Sequence, residues 1–137
     1  MDLKPKDSSV AVSNVPEKNP VQSFKDLLVW QKSMGLAAEI YFVSKSFPRE
    51  ELYGLTAQIR KSAISIPSNI AEGFKRWHKT EFKQFLHISL GSLAELETQV
   101  LLAASFNYME SSQRSKLTAE ILICEKMISK LAAKYQR

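Results

Sequence analysis

Apolar residues recur three and four positions apart along four stretches of this chain, the spacing of one face of an α-helix. The spacing predicts helices over about residues 24–46, 49–77, 80–107 and 112–137. The predicted core stripes of these four helices are, in chain order, Leu27, Trp30, Met34, Ala37 and Tyr41; Leu52, Leu55, Ile59, Ile66, Ile70 and Phe74; Phe82, Leu86, Ser89, Leu93, Leu96 and Val100; and Leu117, Ile121, Cys124, Ile128, Leu131 and Tyr135.

The segments between the predicted helices are short, and such connections make neighbouring helices antiparallel. No stretch shows the alternation and turn residues of β-strands. The predicted fold is therefore all-α, an up-down-up-down antiparallel four-helix bundle over residues 23–137. Residues 1–22 contain Pro5, Pro16 and Pro20 among small polar residues without periodicity, and we predict a disordered N-terminal tail there.

A proline interrupts the second predicted helix, within the sequence QIRKSAISIPSNIAEG of residues 58–73. Pro67 lacks a backbone donor and crowds the carbonyl of Ala63, which costs about 3 kcal/mol in an ordinary helix interior. We predict a kink at Pro67, with the polar groups of Ser65, Ser68 and Asn69 turned toward the disturbed backbone.

A turn near residues 77–80 sets the register of the second and third helices, because residues whose numbers sum to about 158 then lie level. Pro67 falls level with Gly91, where we expect the missing side chain to let the kinked backbone approach closely. Arg60 falls level with Glu97 and within reach of Glu95, which predicts an ion pair between the helices; a functional arginine is the alternative.

The third and fourth helices carry more apolar residues than one buried face requires. The additional residues are Phe85, Ile88, Leu90, Leu101, Leu102, Leu122, Ile123 and Met127. A helix of a monomeric bundle has one apolar and one polar face. The excess predicts a second buried face, most simply against another copy of the chain.

Several segments of the chain resemble a known family, namely FKDLLVWQKSMGLAAEIY, FPREELYGLTAQIRKS, SIPSNIAEG and SLGSLAELETQ. From about residue 24 onward the chain resembles the four-helix-bundle family of 23S rRNA intervening-sequence proteins, small bacterial proteins of which some are encoded within rRNA gene insertions. The resemblance implies an up-down bundle that assembles into a ring, a homo-oligomer of five subunits, and no enzymatic activity is established for the family. A distantly similar protein, the accessory variability protein of diversity-generating retroelements, binds nucleic acid and a reverse transcriptase.

The length, the composition and the motifs of the chain exclude several classes of protein. The 137 residues suffice for one domain with an adequate core, and no run reaches the roughly 18 apolar residues of a membrane span. The N-terminus lacks the apolar segment of a signal peptide, so we expect a cytoplasmic protein. The single Cys124 excludes an internal disulfide, and His78 and His87 lack carboxylates at metal-ligand spacing. Without a nucleophile motif or glycine-rich phosphate loop, we expect no cofactor, no metal and no enzyme.

The net charge of +5 lies on the predicted bundle, because lysines and acidic residues cancel in the tail, and it favours an anionic partner. Cations crowd the corner between the second and third helices around one aromatic ring. The candidate nucleic-acid-binding residues there are Lys75, Arg76, Trp77, Lys79 and Lys83. Cations can hold phosphate while the ring stacks on an unpaired base. The alternative is a solvated corner with a packed tryptophan.

A second basic row lies at helical spacing on the fourth helix and consists of Lys126, Lys130, Lys134 and Arg137. It points away from the core stripe, and simple solvation also explains it. Two functions are consistent with these observations. One is a non-enzymatic oligomeric bundle that binds RNA or DNA through basic surfaces, and the other is a protein-interaction scaffold whose apolar faces hold a partner protein.

Overall fold

A computed structural model describes residues 21–135 of the chain, and within this range it contains helices and no strand. Two short 3-10 helices, Phe24–Asp26 and Arg49–Glu51, precede the first and second α-helices. The four α-helices are α1 (Leu28–Ser44), α2 (Leu55–Lys75), α3 (Lys79–Ser105) and α4 (Ser111–Ala133). The prediction of four helices and no strands is confirmed.

The four helices form a bundle in which each packs against the next, and α4 also packs against α1. Aromatic contacts show that α3 and α4 are antiparallel. Phe82 near the start of α3 meets Tyr135, which follows α4, with ring centres 5.5 Å apart. The predicted bundle is therefore consistent with the structure. Most of the predicted tail lies outside the described residues; Val21, at its end, is buried.

The hydrophobic core runs through all four helices, and every predicted stripe position of α3 and α4 is buried. The predicted stripes of the first and second helices are wrong in part, because Met34, Tyr41 and Leu52 are exposed. The buried residues of α1 are instead Val29, Ser33, Leu36, Ile40 and Ser44.

The difference in α1 has two physical causes. Leu27 precedes the helix in an extended conformation, so a stripe counted from it starts out of phase. Two core positions of α1 are serines, which an apolar pattern does not detect. Ser33 and Ser44 donate hydrogen bonds to the carbonyl oxygens of Trp30 (2.9 Å) and Tyr41 (3.1 Å), and this pairing removes much of the cost of burying their hydroxyls.

Polar groups surround Pro67, and α2 continues through it. Ser65 donates a hydrogen bond to the carbonyl of Ser62 at 2.9 Å, and the Asn69 amide donates to the carbonyl of Ser65 at 2.7 Å. Ser89 on α3 donates to the carbonyl of Ile66 at 3.0 Å. Two of the three predicted polar neighbours therefore contact the backbone, and the third, the serine at position 68, is exposed.

The predicted close approach at Gly91 is wrong. A Cβ atom at Gly91 would have no heavy atom within 4 Å, because this residue lies on the exposed side of α3. The tight position is Gly73, which packs against Phe82 and Phe85. The predicted register holds for Gly73 and Phe85, but lying level does not mean facing, since a helix turns a new side to its neighbour at each residue.

Candidate nucleic-acid interface

The corner between α2 and α3 brings the predicted site residues close together in sequence and space. Lys75 ends α2 and Lys79 begins α3, so three residues make the connection. Trp77 adopts a left-handed backbone conformation with φ of 61°. Such a conformation is uncommon for a bulky residue, and here the ring lies 5.3 Å from the ring of Phe74, between centres. This packing holds the sharp turn in place.

The Trp77 side chain is half-buried and packs against the core. Only part of the indole surface is therefore open for contact with a base. The neighbouring residue, His78, is exposed and precedes α3 in an extended conformation. The corner thus offers cations on its surface and a largely packed ring beneath them.

Arg76 is the most neutralised cation of the corner. Its guanidinium is 3.0 Å from a carboxylate oxygen of Glu72 and 3.7 Å from one of Glu81. It also lies 5.2 Å from the ring centre of Phe85. Glu72 lies one helical turn before the arginine, and the prediction of the corner from the sequence did not include it. We therefore assign Arg76 a smaller share of any anion binding.

The three lysines of the corner are differently placed. Lys75 and Lys79 are exposed, and Lys83 is half-buried. In the part of the chain that the structure describes, no carboxylate lies within ion-pair distance of these three. The Lys79 ammonium lies 5.9 Å from the ring centre of Tyr135, so the C-terminal end of α4 adjoins the corner. These lysines keep their charge available to a ligand.

The end of α4 adds further cations to this end of the bundle. Lys130 and Lys134 lie in and just after its last turn, and both are exposed. The antiparallel packing places them at the end of the bundle where α2 stops and α3 starts. Arg137, the last member of the predicted row, lies outside the described residues. The basic end, as we name it, comprises Lys75, Lys79, Lys83, Lys130 and Lys134.

The predicted ion pair of Arg60 with Glu97 is wrong, because Arg60 contacts α1 instead of α3. Its Nε atom donates a hydrogen bond to the Ser44 hydroxyl at 2.7 Å, and a terminal nitrogen donates to the Tyr41 carbonyl at 3.4 Å. Its guanidinium carbon lies 4.2 Å from the centre of the Tyr41 ring. Register alone gave the level of Arg60 and left open which neighbouring helix it faces.

Sequence reasoning also missed a second group of aromatic and basic side chains. The α1 patch, as we name it, comprises Tyr41, Phe42, Lys45 and Arg60. The Lys45 ammonium lies 5.4 Å from the Tyr41 ring centre and 5.2 Å from that of Phe42. The lysine four residues after the tyrosine was the available signal, and it was overlooked because the tyrosine was assigned to the core.

Several titratable side chains outside the corner have shifted pKa values. Burial raises the pKa of Cys124 to about 11, so its thiol stays protonated and weakly nucleophilic at neutral pH. Glu51 accepts hydrogen bonds from the Leu55 backbone (3.0 Å) and the Tyr108 hydroxyl (2.8 Å), which lower its pKa. These bonds order the start of α2. No three potential metal ligands cluster among the described residues.

One carboxylate pair links α1 and α4. Glu39 lies 3.0 Å from the Lys116 ammonium and close to Glu120. Glu39 raises the pKa of Glu120 through their shared hydrogen bond, while hydrogen bonds from Glu120 and Lys116 outweigh desolvation and lower the pKa of Glu39. The ion pair with Lys116 links the two helices, and the two carboxyl groups add a hydrogen bond to this link when one of them is protonated.

Comparison of the sequence with known proteins identifies a protein family. The sequence model of the 23S rRNA-intervening sequence protein family matches residues 25–130, a range that includes α1, α2, α3 and most of α4. No curated protein is similar enough in sequence to match. None of the helices in the described residues has the length and apolar character needed to cross a membrane. Because the family match covers most of the sequence and nearly all of the bundle, the chain belongs to the 23S rRNA-intervening sequence protein family.

Proposed function

We propose that this chain is a non-enzymatic, homo-oligomeric bundle protein that binds RNA or DNA through its basic end. The observation that carries the proposal is the set of three corner lysines, Lys75, Lys79 and Lys83. Among the described residues they have no acidic partner, and Lys130 and Lys134 of the end of α4 lie at the same end of the bundle. Lysines so placed can replace counterions along a phosphate backbone.

Binding of this kind is tolerant of sequence. Ammonium groups contact phosphates, which are alike in every nucleotide, and they carry no information about the bases. Each neutralised phosphate releases condensed counterions, so affinity falls steeply as salt concentration rises. A steep salt dependence with little sequence preference is therefore the signature we expect.

Self-association, which is part of this proposal, would strengthen the binding of nucleic acid. The outward sides of α3 and α4 expose large apolar side chains, each with 43–50% of its surface accessible: Ile88, Leu101, Leu102, Leu122 and Ile123. Covering them with another copy removes apolar surface from water. We propose a ring of five subunits, as the family resemblance implies. Repetition of the basic end around a ring would turn several weak contacts into one multivalent surface.

Fluorescence anisotropy over a salt series tests the nucleic-acid proposal. The protein is titrated into labelled duplex and single-stranded oligonucleotides, and Lys75→Glu/Lys79→Glu is compared with wild type. The charge-matched control is Lys32→Glu/Lys126→Glu, which reverses two exposed lysines outside the basic end. We expect the first variant alone to weaken binding to every sequence and to reduce the salt slope by about two. Equal affinity for the two variants would reject the basic end as the site.

The scaffold function is the second candidate, and the exposed apolar residues of α3 and α4 favour it. Association through apolar surface does not weaken as salt rises, whereas phosphate binding does. Absorbance of the purified protein at 260 and 280 nm, followed by sequencing of any nucleic acid that accompanies it, separates the two. A protein free of nucleic acid that captures a partner at high salt would support the scaffold.

A further inference from the structure

Two large aromatic side chains stand exposed at the C-terminal end of α1. Phe42 has 67% of its surface accessible and Tyr41 50%. The rings are 6.4 Å apart between centres and inclined at 78°, so they present an edge-to-face pair to solvent. Rings of this size contribute strongly to binding when a partner covers them. The bundle itself leaves both of them largely uncovered.

The cations beside these rings are held in place. Lys45 lies near the centres of both rings, and Arg60 is fixed by hydrogen bonds to Ser44 and to the Tyr41 carbonyl. Within the described residues, neither cation lies within ion-pair distance of a carboxylate. The α1 patch therefore combines exposed π-surface with two positive charges that no acidic side chain neutralises.

This combination has the chemistry of a single-strand site. Unpaired bases stack on exposed aromatic rings, nearby cations contact the phosphates, and an arginine on a ring adds a cation–π contribution. Bases inside a duplex are already stacked and cannot reach such rings. We propose that the α1 patch binds unpaired nucleotides of RNA or DNA, an inference that rests on the proposed nucleic-acid function and assigns it a second, strand-selective site.

The patch and the basic end can contact one strand. Lys75 follows Arg60 by fifteen residues, which is a little over four turns of α2, so the two side chains leave the helix about 60° apart around its axis. Their separation along the axis is roughly 22 Å at about 1.5 Å per residue. At a stacked spacing of about 3.4 Å, a strand of roughly seven nucleotides covers that distance. Single strands longer than this should bind more tightly than shorter ones.

The test compares aromatic variants on single-stranded and duplex probes by fluorescence anisotropy. The variants are Phe42→Ala and Phe42→Leu, and the matched control is Phe106→Ala, an exposed phenylalanine that follows the last residue of α3 and lies outside the patch. The probes are oligothymidylate and oligouridylate of roughly 4 and roughly 12 nucleotides, with a duplex of the longer length. Sedimentation reports the oligomeric state of each variant, and circular dichroism reports its fold.

We expect both Phe42 variants to lose about 5- to 100-fold in affinity for the longer single strands, because leucine keeps apolar volume but has no ring on which to stack. Duplex affinity and the Phe106→Ala control should stay unchanged.

Three outcomes would overturn the inference. The first is unchanged single-strand affinity in Phe42→Ala while Lys75→Glu/Lys79→Glu still weakens binding, which would leave the proposed function standing alone. The second is an equal loss on single strand and duplex. The third is an oligomer that dissociates in Phe42→Ala but stays assembled in Phe42→Leu, which would make the patch a contact between copies. Absence of binding to every probe by the wild type would reject both proposals.

Discussion

Phe85 of α3 packs closely against the backbone of Gly73 in α2: a Cβ atom added at residue 73 would lie 2.6 Å from the Cβ atom of Phe85. Real Cβ contacts are longer than this, so any side chain at residue 73 forces the two helices apart or moves the phenylalanine. The contact explains why the sequence has a glycine inside a helix, where it costs about 1 kcal/mol relative to alanine. It also predicts opposite effects on stability for alanine substitutions at Gly73 in α2 and at Gly91 in α3.

Gly73→Ala should destabilise the protein by about 1–3 kcal/mol, because the added methyl group overpacks the contact with Phe85. Gly91→Ala should instead stabilise it by about 0.5–1 kcal/mol, since Gly91 faces open space in the middle of α3. Urea unfolding followed by circular dichroism measures both. The same sign for the two substitutions would contradict this account of the α2–α3 interface.

Glu120→Gln should raise the free energy of unfolding at neutral pH, by an amount on the order of 0.2–1 kcal/mol for a partly exposed carboxyl group. The folded protein raises the pKa of Glu120 above 4.5, so the stability that this carboxyl contributes is complete below pH 4.5 and is lost as pH rises through the folded pKa. Glutamine mimics the protonated form and escapes that loss. Its advantage should therefore vanish below about pH 4.5, and a pH-independent difference would refute the assignment.

Cys124 should react slowly with a thiol reagent in the native protein. Burial raises its pKa to about 11, and at pH 8 the thiolate population is correspondingly small. Labelling with a chromogenic disulfide in native buffer and in urea measures the difference. Complete labelling of the native protein at the rate seen in urea would show that the core opens around α4.

Leu102→Glu on α3 and Leu122→Glu on α4, each made singly, test the apolar sides of these helices. At least one should dissociate the oligomer, because an unpaired carboxylate in a buried contact is costly. Leu52→Glu, at a leucine of similar exposure outside α3 and α4, is the control. Analytical ultracentrifugation at micromolar concentration reads the mass. A monomeric wild type, or two fully assembled variants, would reject self-association through these residues.

The kink at Pro67 stays a prediction that an experimental structure can decide by the angle between the two halves of α2. A bent axis is expected because the proline nitrogen cannot donate to the carbonyl of Ala63. Ser89→Ala should cost about 1 kcal/mol by removing the buried hydrogen bond to the Ile66 carbonyl beside the proline. A straight helix and an unaffected Ser89→Ala variant would together show that the proline is accommodated without distortion.

Helices α3 and α4 were predictable from sequence because their buried positions are almost all apolar and recur at one helical spacing. In α1 the same method failed, since Ser33 and Ser44 occupy core positions and satisfy their hydroxyls locally. Register predicted the wrong helix partner for Arg60, which contacts α1. A one-dimensional pattern reports how far along a neighbour a residue lies, whereas the side it faces depends on helix rotation within the bundle.

The position of the basic corner between α2 and α3 could be predicted from the sequence, but the partners and exposure of its side chains could not all be predicted. Lys75 and Lys79 are exposed at a turn that any short helical connection would expose, whereas Lys83 lies further along α3 and is half-buried. Arg76 lies near Glu72, Glu81 and the Phe85 ring, and sequence spacing alone does not decide which of these neighbours it contacts. The α1 patch escaped detection because exposure of Tyr41 and Phe42 follows from the rotation of α1, whose buried side includes two serines that an apolar pattern does not count.

The small side chains between α2 and α3 also bear on the order in which the bundle opens. Ser65 and Ser92 hydrogen-bond to each other at this interface, which is the most extensive between any two of the helices, whereas α1 and α4 share the smallest among neighbouring pairs. Local openings begin where few contacts must be broken. Amide hydrogens in the middle of α2 and α3 should therefore exchange with solvent only when the whole domain unfolds, while those of α1 exchange earlier, through its separation from α4.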